Sequence, residues 1–241
     1  MTEELWNEQQ RRFDRIAQNI VRLREKAGQA ALQSGRSEDA VRIMAVTKTV
    51  APIYINHAVS CGMDLIGENK VQELLSKQAE LLPCERQLIG HLQSNKVKSV
   101  LDAVSLIQSV DTPCLASEIS RRALQNGQVM PILAEVNIAG EQSKFGIDPA
   151  YLTETLHEIA ENKGILLCGL MCVPPLDAEK EKLSAFFQKM HRLFLDIGAK
   201  KLDNIDMCIL SMGMSDDFET AIRCGANLVR LGSAIFGDRV Y

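Results

Sequence analysis

No stretch of this sequence approaches the roughly 18 to 20 consecutive apolar residues that span a bilayer, which excludes a transmembrane helix. The opening MTEELWNEQQRRFDRIAQN is charged and amphipathic and lacks the apolar core of a signal peptide. No two cysteines have the CxxC spacing of a zinc or redox motif, and their number, seven, is odd. Reduced thiols in a cytoplasmic protein are the expectation. There is no basic surplus either. Twenty-seven Lys and Arg against 31 Asp and Glu leave a net charge of −4, the wrong balance for a nucleic-acid binder. Linkers, low-complexity tracts and repeats are also missing, which predicts one domain over residues 1–241.

What is present is enough apolar residue, 46%, for a sizeable core beside 24% charge. Leu5, Phe13, Ile16, Ile20 and Leu23 fall on one stripe and predict a long surface helix ending near Gly35. The run Val41–Thr47, short and rich in β-branched residues, predicts a buried strand. A helix follows from about Pro52, a residue suited to a first turn. The alternation continues with strands at Asp64–Gly67, Gln87–Gly90, Ser105–Gln108, Pro131–Ile138, Ile165–Val173, Met207–Ser211 and Leu228–Leu231. Between them lie predicted helices over Asn69–Leu82, Ser94–Leu101, Thr112–Gln125, Asp148–Asn162 with Asp148 as cap, Asp177–Ile197 and Ser215–Cys224. Eight strands in a chain of this length predict an α/β fold, a (β/α)8 barrel. A doubly wound sheet shares the alternation but does not need eight strands. Little chain follows the eighth strand, so the N-terminal helix is expected to cover the wall beside strands eight and one.

In such a barrel the working groups stand at the C-terminal ends of the strands. Those positions hold Lys48, then Gly67-Glu68-Asn69, then Gly90 to Lys96 including His91. Asn137 with Lys144, Met171, Ser211 to Ser215, and Arg230 to Ser233 complete the set. Lys48, shielded at a barrel mouth, could attack a carbonyl as its neutral amine, or simply snorkel off a strand end. Ser211, Gly213, Gly232 and Ser233 lie in the loops after strands seven and eight, the usual phosphate site of this fold. Their backbone N–H groups and hydroxyls suit an anion.

A carbonyl-capturing lysine facing a phosphate cup has two readings: a class I aldolase, or pyridoxal 5′-phosphate held through its aldehyde. Arg230 bears on the choice. As a permanent donor beside the phosphate loop it would keep a pyridine nitrogen unprotonated and the ring a weak electron sink. A structural ion pair is the alternative role for it. Cys168 and Cys172 are four apart on strand six and are expected on one face as packing residues.

The motifs Ala45-Val46-Thr47-Lys48, Gly67-Glu68-Asn69 with Val71-Gln72-Glu73, and Ile89 to Lys96 occur in that order. Val136-Asn137-Ile138 with Ser143-Lys144, Gly169-Leu170-Met171, Leu210 to Ser215 and Arg230-Leu231-Gly232 follow. Together they resemble the pyridoxal phosphate homeostasis protein family from about Ala45 to Gly237. The resemblance implies a single barrel like the N-terminal domain of alanine racemase, a fold-type III pyridoxal phosphate site. It implies the cofactor as an internal aldimine on Lys48, Asn69 close to the ring and Arg230 facing the ring nitrogen. Ser211, Gly213, Gly232 and Ser233 would then hold the phosphate. A non-catalytic role in intracellular vitamin B6 homeostasis is implied, with pyridoxal-dependent apoenzymes as potential recipients. Lys70, Phe145 and Ser233 depart from common residues of the family at the site mouth.

The related racemases use a tyrosine from an additional β-domain as second base. Here the tyrosines are Tyr54, Tyr151 and Tyr241, none at a predicted strand end, and His57, His157 and His191 fall in helices. His91 alone stands at a strand end, either touching ligand or donating to a neighbouring carbonyl. Without a second base or a covering domain, two-base proton transfer is disfavoured and a solvent-open carrier, a monomer, is favoured. A racemase-like enzyme of low activity is the alternative. Lys96 and Lys144 are further candidates for holding a transient second cofactor.

Overall fold

Strands buried on both faces need apolar side chains inward and outward, and the short Val-, Ile- and Leu-rich runs supply them. A computed structural model describes residues 3–141, 144–175, 178–200 and 202–237. Its strands are β1 (Arg42–Val46), β2 (Leu65–Glu68), β3 (Glu85–Leu88), β4 (Leu106–Val110), β5 (Met130–Glu135), β6 (Ile165–Met171), β7 (Ile205–Ser211) and β8 (Leu228–Leu231). Each pairs in parallel with the next, and β8 returns to β1. The α/β barrel expected from eight apolar runs is the fold.

The helices are α1 (Glu3–Gln33), α2 (Pro52–Ser60), α3 (Val71–Lys77), α4 (Val97–Val100), α5 (Pro113–Gln125), α6 (Leu152–Ala160), α7 (Lys180–Gly198), α8 (Phe218–Arg223) and α9 (Ser233–Phe236). Pro52 and Pro113 sit in first turns, and Thr112 caps α5 by accepting from the Leu115 N–H at 3.2 Å. Ile16, Ile20, Leu23, Ala27, Ala30 and Ala31 are buried along one face of α1. That face lies on α2, α8 and α9, as expected for a helix closing the ring between β8 and β1. Asn19 donates to the Ile235 carbonyl at 3.1 Å and Arg36 to that of Ala226 at 2.8 Å, fixing the docking. Burying each of the larger aliphatic side chains contributes about 2 kcal/mol.

Three expectations are corrected. Strand three runs Glu85–Leu88, two residues before Gln87–Gly90, because Glu85 is held by Arg42 and Ser105 at the barrel floor despite its charge. Asp148 does not cap α6. Its carboxylate accepts from the Ala150 N–H at 2.8 Å in a turn through Pro149, and the helix begins at Leu152. Cys168 and Cys172 do not share a face. Cys168 packs with Leu106, Leu133 and Met171 inside the barrel, whereas Cys172 joins the outer core. A register shift at Gly169, with φ of 151°, inserts a residue and reverses the alternation. Burial pushes the two thiols up, Cys168 to about 11 and Cys172 to about 12, so both stay protonated packing groups. The Leu5 side chain, Ser143, Asp177 and Tyr241, named above, lie outside the described residues.

Candidate functional site: the barrel mouth

The pleat of β1 puts residues two apart on one side. Val46 and half-buried Lys48 accordingly line one cleft, and Gly232 and Ser233 line it with them. Barrel closure causes this meeting. The β1–β8 register pairs Met44 with Arg230 and Ala45 with Leu231, so the residues just beyond the two strands emerge together. A Cβ built on Gly232 would lie 3.5 Å from Val46, so the two strand ends are in contact. Arg12 of α1 and Tyr54 of α2 form the outer edge, with the guanidinium 3.8 Å from the tyrosine ring centre.

The loop after β7 packs tightly against β8. Gly213 is buried with φ of 94°, and a Cβ there would stand 2.6 Å from that of Ala221. Its carbonyl accepts the Arg230 N–H at 3.0 Å. The N–H groups of Gly232 and Ala234 converge on one oxygen, the Ser215 hydroxyl, at 3.3 and 3.2 Å. Two N–H groups, one from the Gly232 cap and one from the first turn of α9, aimed at one point form the kind of cradle that an anionic oxygen favours. Ser215 was not singled out from the sequence. Its signal was its place two residues beyond Gly213.

Ser211 is buried and does not reach this cradle. Its hydroxyl donates to Gln108 Oε1 at 2.7 Å and accepts from Arg230 Nη1 at 2.7 Å. Ser211 holds Arg230 in this way because the pleat of β7 turns residue 211 into the barrel. Arg230 Nη2 donates to the Cys172 carbonyl at 2.8 Å. Among the described residues no carboxylate lies within ion-pair distance of Arg230. The ion-pair alternative is thus not the arrangement found. Burial lowers its pKa, opposed by Glu135 and Asp217. A guanidinium has five donors, and among the described residues two are engaged here. The supporting line of hydrogen bonds continues from Gln108 through Gln87 to Glu85 at 2.7 Å each, and on to Arg42. Gln108 was the missed member, legible only as a polar residue inside an apolar run.

His91 lies exposed and stacks on Phe145, with ring centroids 3.8 Å apart and 13° between planes. It therefore bridges the loops after β3 and β5 at the rim instead of bonding a carbonyl. Lys144 pairs with Glu141 at 2.9 Å, and Lys96 sits in a short turn before α4. Asn69 lies just past β2, with Gly90 so close that a Cβ there would stand 2.2 Å from the Asn69 carbonyl oxygen.

Two observations test whether these residues suit a phosphorylated carbonyl ligand with an aromatic ring. Asn69 Oδ1, just past the end of β2, is a buried acceptor with no hydrogen-bond partner among the described residues. The cradle at Gly232 and Ala234 takes an oxygen, and Arg230 has donors to spare. The residues fit such a group.

Burial, then the nearby Asp111 charge, raises the Glu135 carboxyl to about 7, with Arg230 pulling the other way. An acid whose folded pKa exceeds its ordinary 4.5 supports the fold fully while protonated and loses that support as pH climbs from 4.5 through 7. Glu135→Gln should therefore be more stable than wild type at pH 8, by about 2 to 3 kcal/mol, and nearly equal at pH 4.5. Urea unfolding at the two pH values measures this; a difference independent of pH contradicts it.

The alanine racemase N-terminal domain family matches residues 11–240 of the chain. The pyridoxal phosphate homeostasis protein of Aquifex aeolicus (strain VF5) is 38% identical over 226 residues, 93% of this chain and 98% of that protein. Among solved structures, an unknown protein from Bifidobacterium adolescentis superposes with a TM-score of 0.89 at 36% identity, covering 93% of this chain and 96% of that one. PipY of Synechococcus elongatus PCC7942, solved with pyridoxal phosphate bound, superposes with a TM-score of 0.82 at 29% identity. That match covers 92% of this chain and all of PipY's.

Proposed function

Since this chain belongs to the pyridoxal phosphate homeostasis protein family, we propose that it binds pyridoxal 5′-phosphate on Lys48 and serves vitamin B6 homeostasis without catalysing a reaction. The observation that carries the reading is one cleft lined by Lys48, Gly232 and Ser233. Lys48 would hold the group by condensing its amine with the aldehyde, the carbonyl oxygen leaving as water. When bound, the cofactor supplies an electrophilic carbonyl and an electron sink.

The protein's own groups then have distinct tasks. Gly232 and Ala234 N–H groups, with the Ser215 and Ser233 hydroxyls and the tight turn at Gly213, hold the phosphate. Asn69 borders the ring. Arg230 offers its remaining donors to the ring nitrogen, and Ser211 and the Cys172 carbonyl hold it in place. A permanent donor there disfavours protonation of the nitrogen and weakens the sink, which suits storage better than carbanion chemistry. PipY's bound cofactor favours this over the sugar-phosphate aldolase. Of the tyrosines and the strand-end histidine, Tyr54 is held at the cleft edge under Arg12, Tyr151 is 64% exposed at the start of α6, and His91 is stacked on Phe145, which favours a carrier over two-base proton transfer. In this reading one barrel domain acts as a cytoplasmic monomer that exchanges cofactor with pyridoxal-dependent apoenzymes. No helix among the described residues is long and apolar enough to cross a membrane.

Protein loaded with pyridoxal phosphate should be yellow, absorbing near about 420 nm, and borohydride should fix the cofactor on Lys48. Lys48→Ala should lose colour and adduct together. A colourless wild type, or an adduct unaffected by the substitution, overturns the reading. Steady turnover of an amino acid that disappears in Lys48→Ala would favour the racemase-like enzyme instead.

A further inference from the structure

Lys77 is a buried lysine, its side chain 10% exposed, on α3 and outside the cleft just described. Its ammonium has three donors and places all three. One goes to Glu68 Oε1 at 2.8 Å, one to Glu73 Oε1 at 2.6 Å, and one to the backbone carbonyl of Thr47 at 2.8 Å. Two more bonds close the cluster. The Thr47 hydroxyl donates to Glu68 Oε1 at 2.7 Å, and the Thr49 N–H donates to Glu73 Oε1. The peptide groups on both sides of Lys48 are therefore tied to the same three charged side chains.

The segment held this way is strained. Thr49 has φ of +64°, a left-handed conformation that a β-branched residue rarely adopts. The tight turn closes with the Val50 N–H on the Thr47 carbonyl at 3.0 Å. The Glu73 and Lys77 bonds run to the groups that flank this turn, so they offset its strain. Removing them lets Lys48, at the tip, swing with its backbone. A tie that served only to dock α3 would not need to end on these two peptide groups.

We propose that Lys77, Glu73 and Glu68 form a clamp that positions the Lys48 amine for attack on the carbonyl without touching the ligand. The inference rests on the reading of Lys48 as the cofactor-bearing residue, and it adds three positioning residues to that site.

A ligand with and without the aldehyde separates the two effects. 4′-Deoxypyridoxine 5′-phosphate keeps the ring and the phosphate but cannot bond to an amine, so its affinity reports the cradle alone. Lys77→Met and Glu73→Ala should each slow formation of the coloured, borohydride-fixable adduct about tenfold, the effect of one lost charge-assisted hydrogen bond. Their affinity for the deoxy analogue should stay within about twofold of wild type. Glu73→Gln keeps an acceptor for the Thr49 N–H and should recover most of the rate. Should Lys77→Met not fold, Glu73→Ala tests the same connection from a partly exposed position.

Unchanged adduct formation, equal losses for both ligands, or a Glu73→Gln variant as slow as Glu73→Ala would each overturn the clamp while leaving Lys48 as the anchor. A wild type that binds the deoxy analogue but forms no adduct on Lys48 would sink the anchor, and the clamp with it.

Discussion

Replacing Arg230 by Met should destabilise the protein by about 3 to 4 kcal/mol, because the substitution strands buried partners instead of deleting a surface charge. Arg230 is 4% exposed. Without its guanidinium the Cys172 carbonyl loses a donor, and the Ser211 hydroxyl keeps Gln108 but loses its other partner. Glu135 also loses the cation that restrains its upward shift. The carboxyl then ionises at still greater cost, so the loss should be larger at pH 8 than at pH 5. Urea unfolding of Arg230→Met at both pH values, with and without Glu135→Gln, separates the two contributions. The double variant should show a much smaller pH dependence. A loss below about 1 kcal/mol, or one equal at the two pH values, would mean that the network is not carrying strain of this kind.

Gly169→Ala should be comparably severe, at about 3 to 5 kcal/mol, lowering the melting midpoint by about 10 °C for a domain of this size. The new methyl carbon would lie 1.8 Å from the Ile209 carbonyl oxygen on the adjoining strand, a backbone atom that cannot rotate away. Positive φ adds a conformational penalty. Relief requires β6 to shift against β7, and that would undo the bulge that orients residues 170–172. The Cys172 carbonyl would move from Arg230, so cofactor affinity should fall along with stability. Calorimetry and an absorbance titration test both parts; a midpoint within about 2 °C of wild type would refute the bulge argument.

The positions of these two residues illustrate where sequence reading stopped. Eight apolar runs separated by helical stripes are a local property of the chain, and they sufficed for the barrel, its strand order and the closing role of α1. Lys48, Gly232 and Ser233 were legible because strand ends are legible, and a barrel puts every C-terminal end on one rim. Strand three starts earlier than its apolar run because its first residues, Glu85 and Arg86, are charged, and the Arg42, Ser105 and Gln87 contacts make Glu85 tolerable there. Asp148 looked like a cap because it precedes a helical stripe, but Pro149 and Ala150 turned its carboxylate to a local bond first. The alternation rule that put Cys168 and Cys172 together holds only for an unbroken pleat, and a bulge is set by how β6 meets both neighbours.

The amino-acid order by itself determined the elements, their succession and the chemistry on offer at the strand ends, since periodicity and residue type act over a few positions. Which of those groups face one another was decided by tertiary structure. Closing β8 onto β1 brings Lys48 beside Gly232 and Ser233, and the pleat of β7 turns Ser211 into the barrel toward Arg230. Packing α3 against the end of β2 puts Lys77 against the backbone beside Lys48. Such contacts join residues far apart along the chain, and their geometry depends on register, shear and burial that no local window of sequence contains.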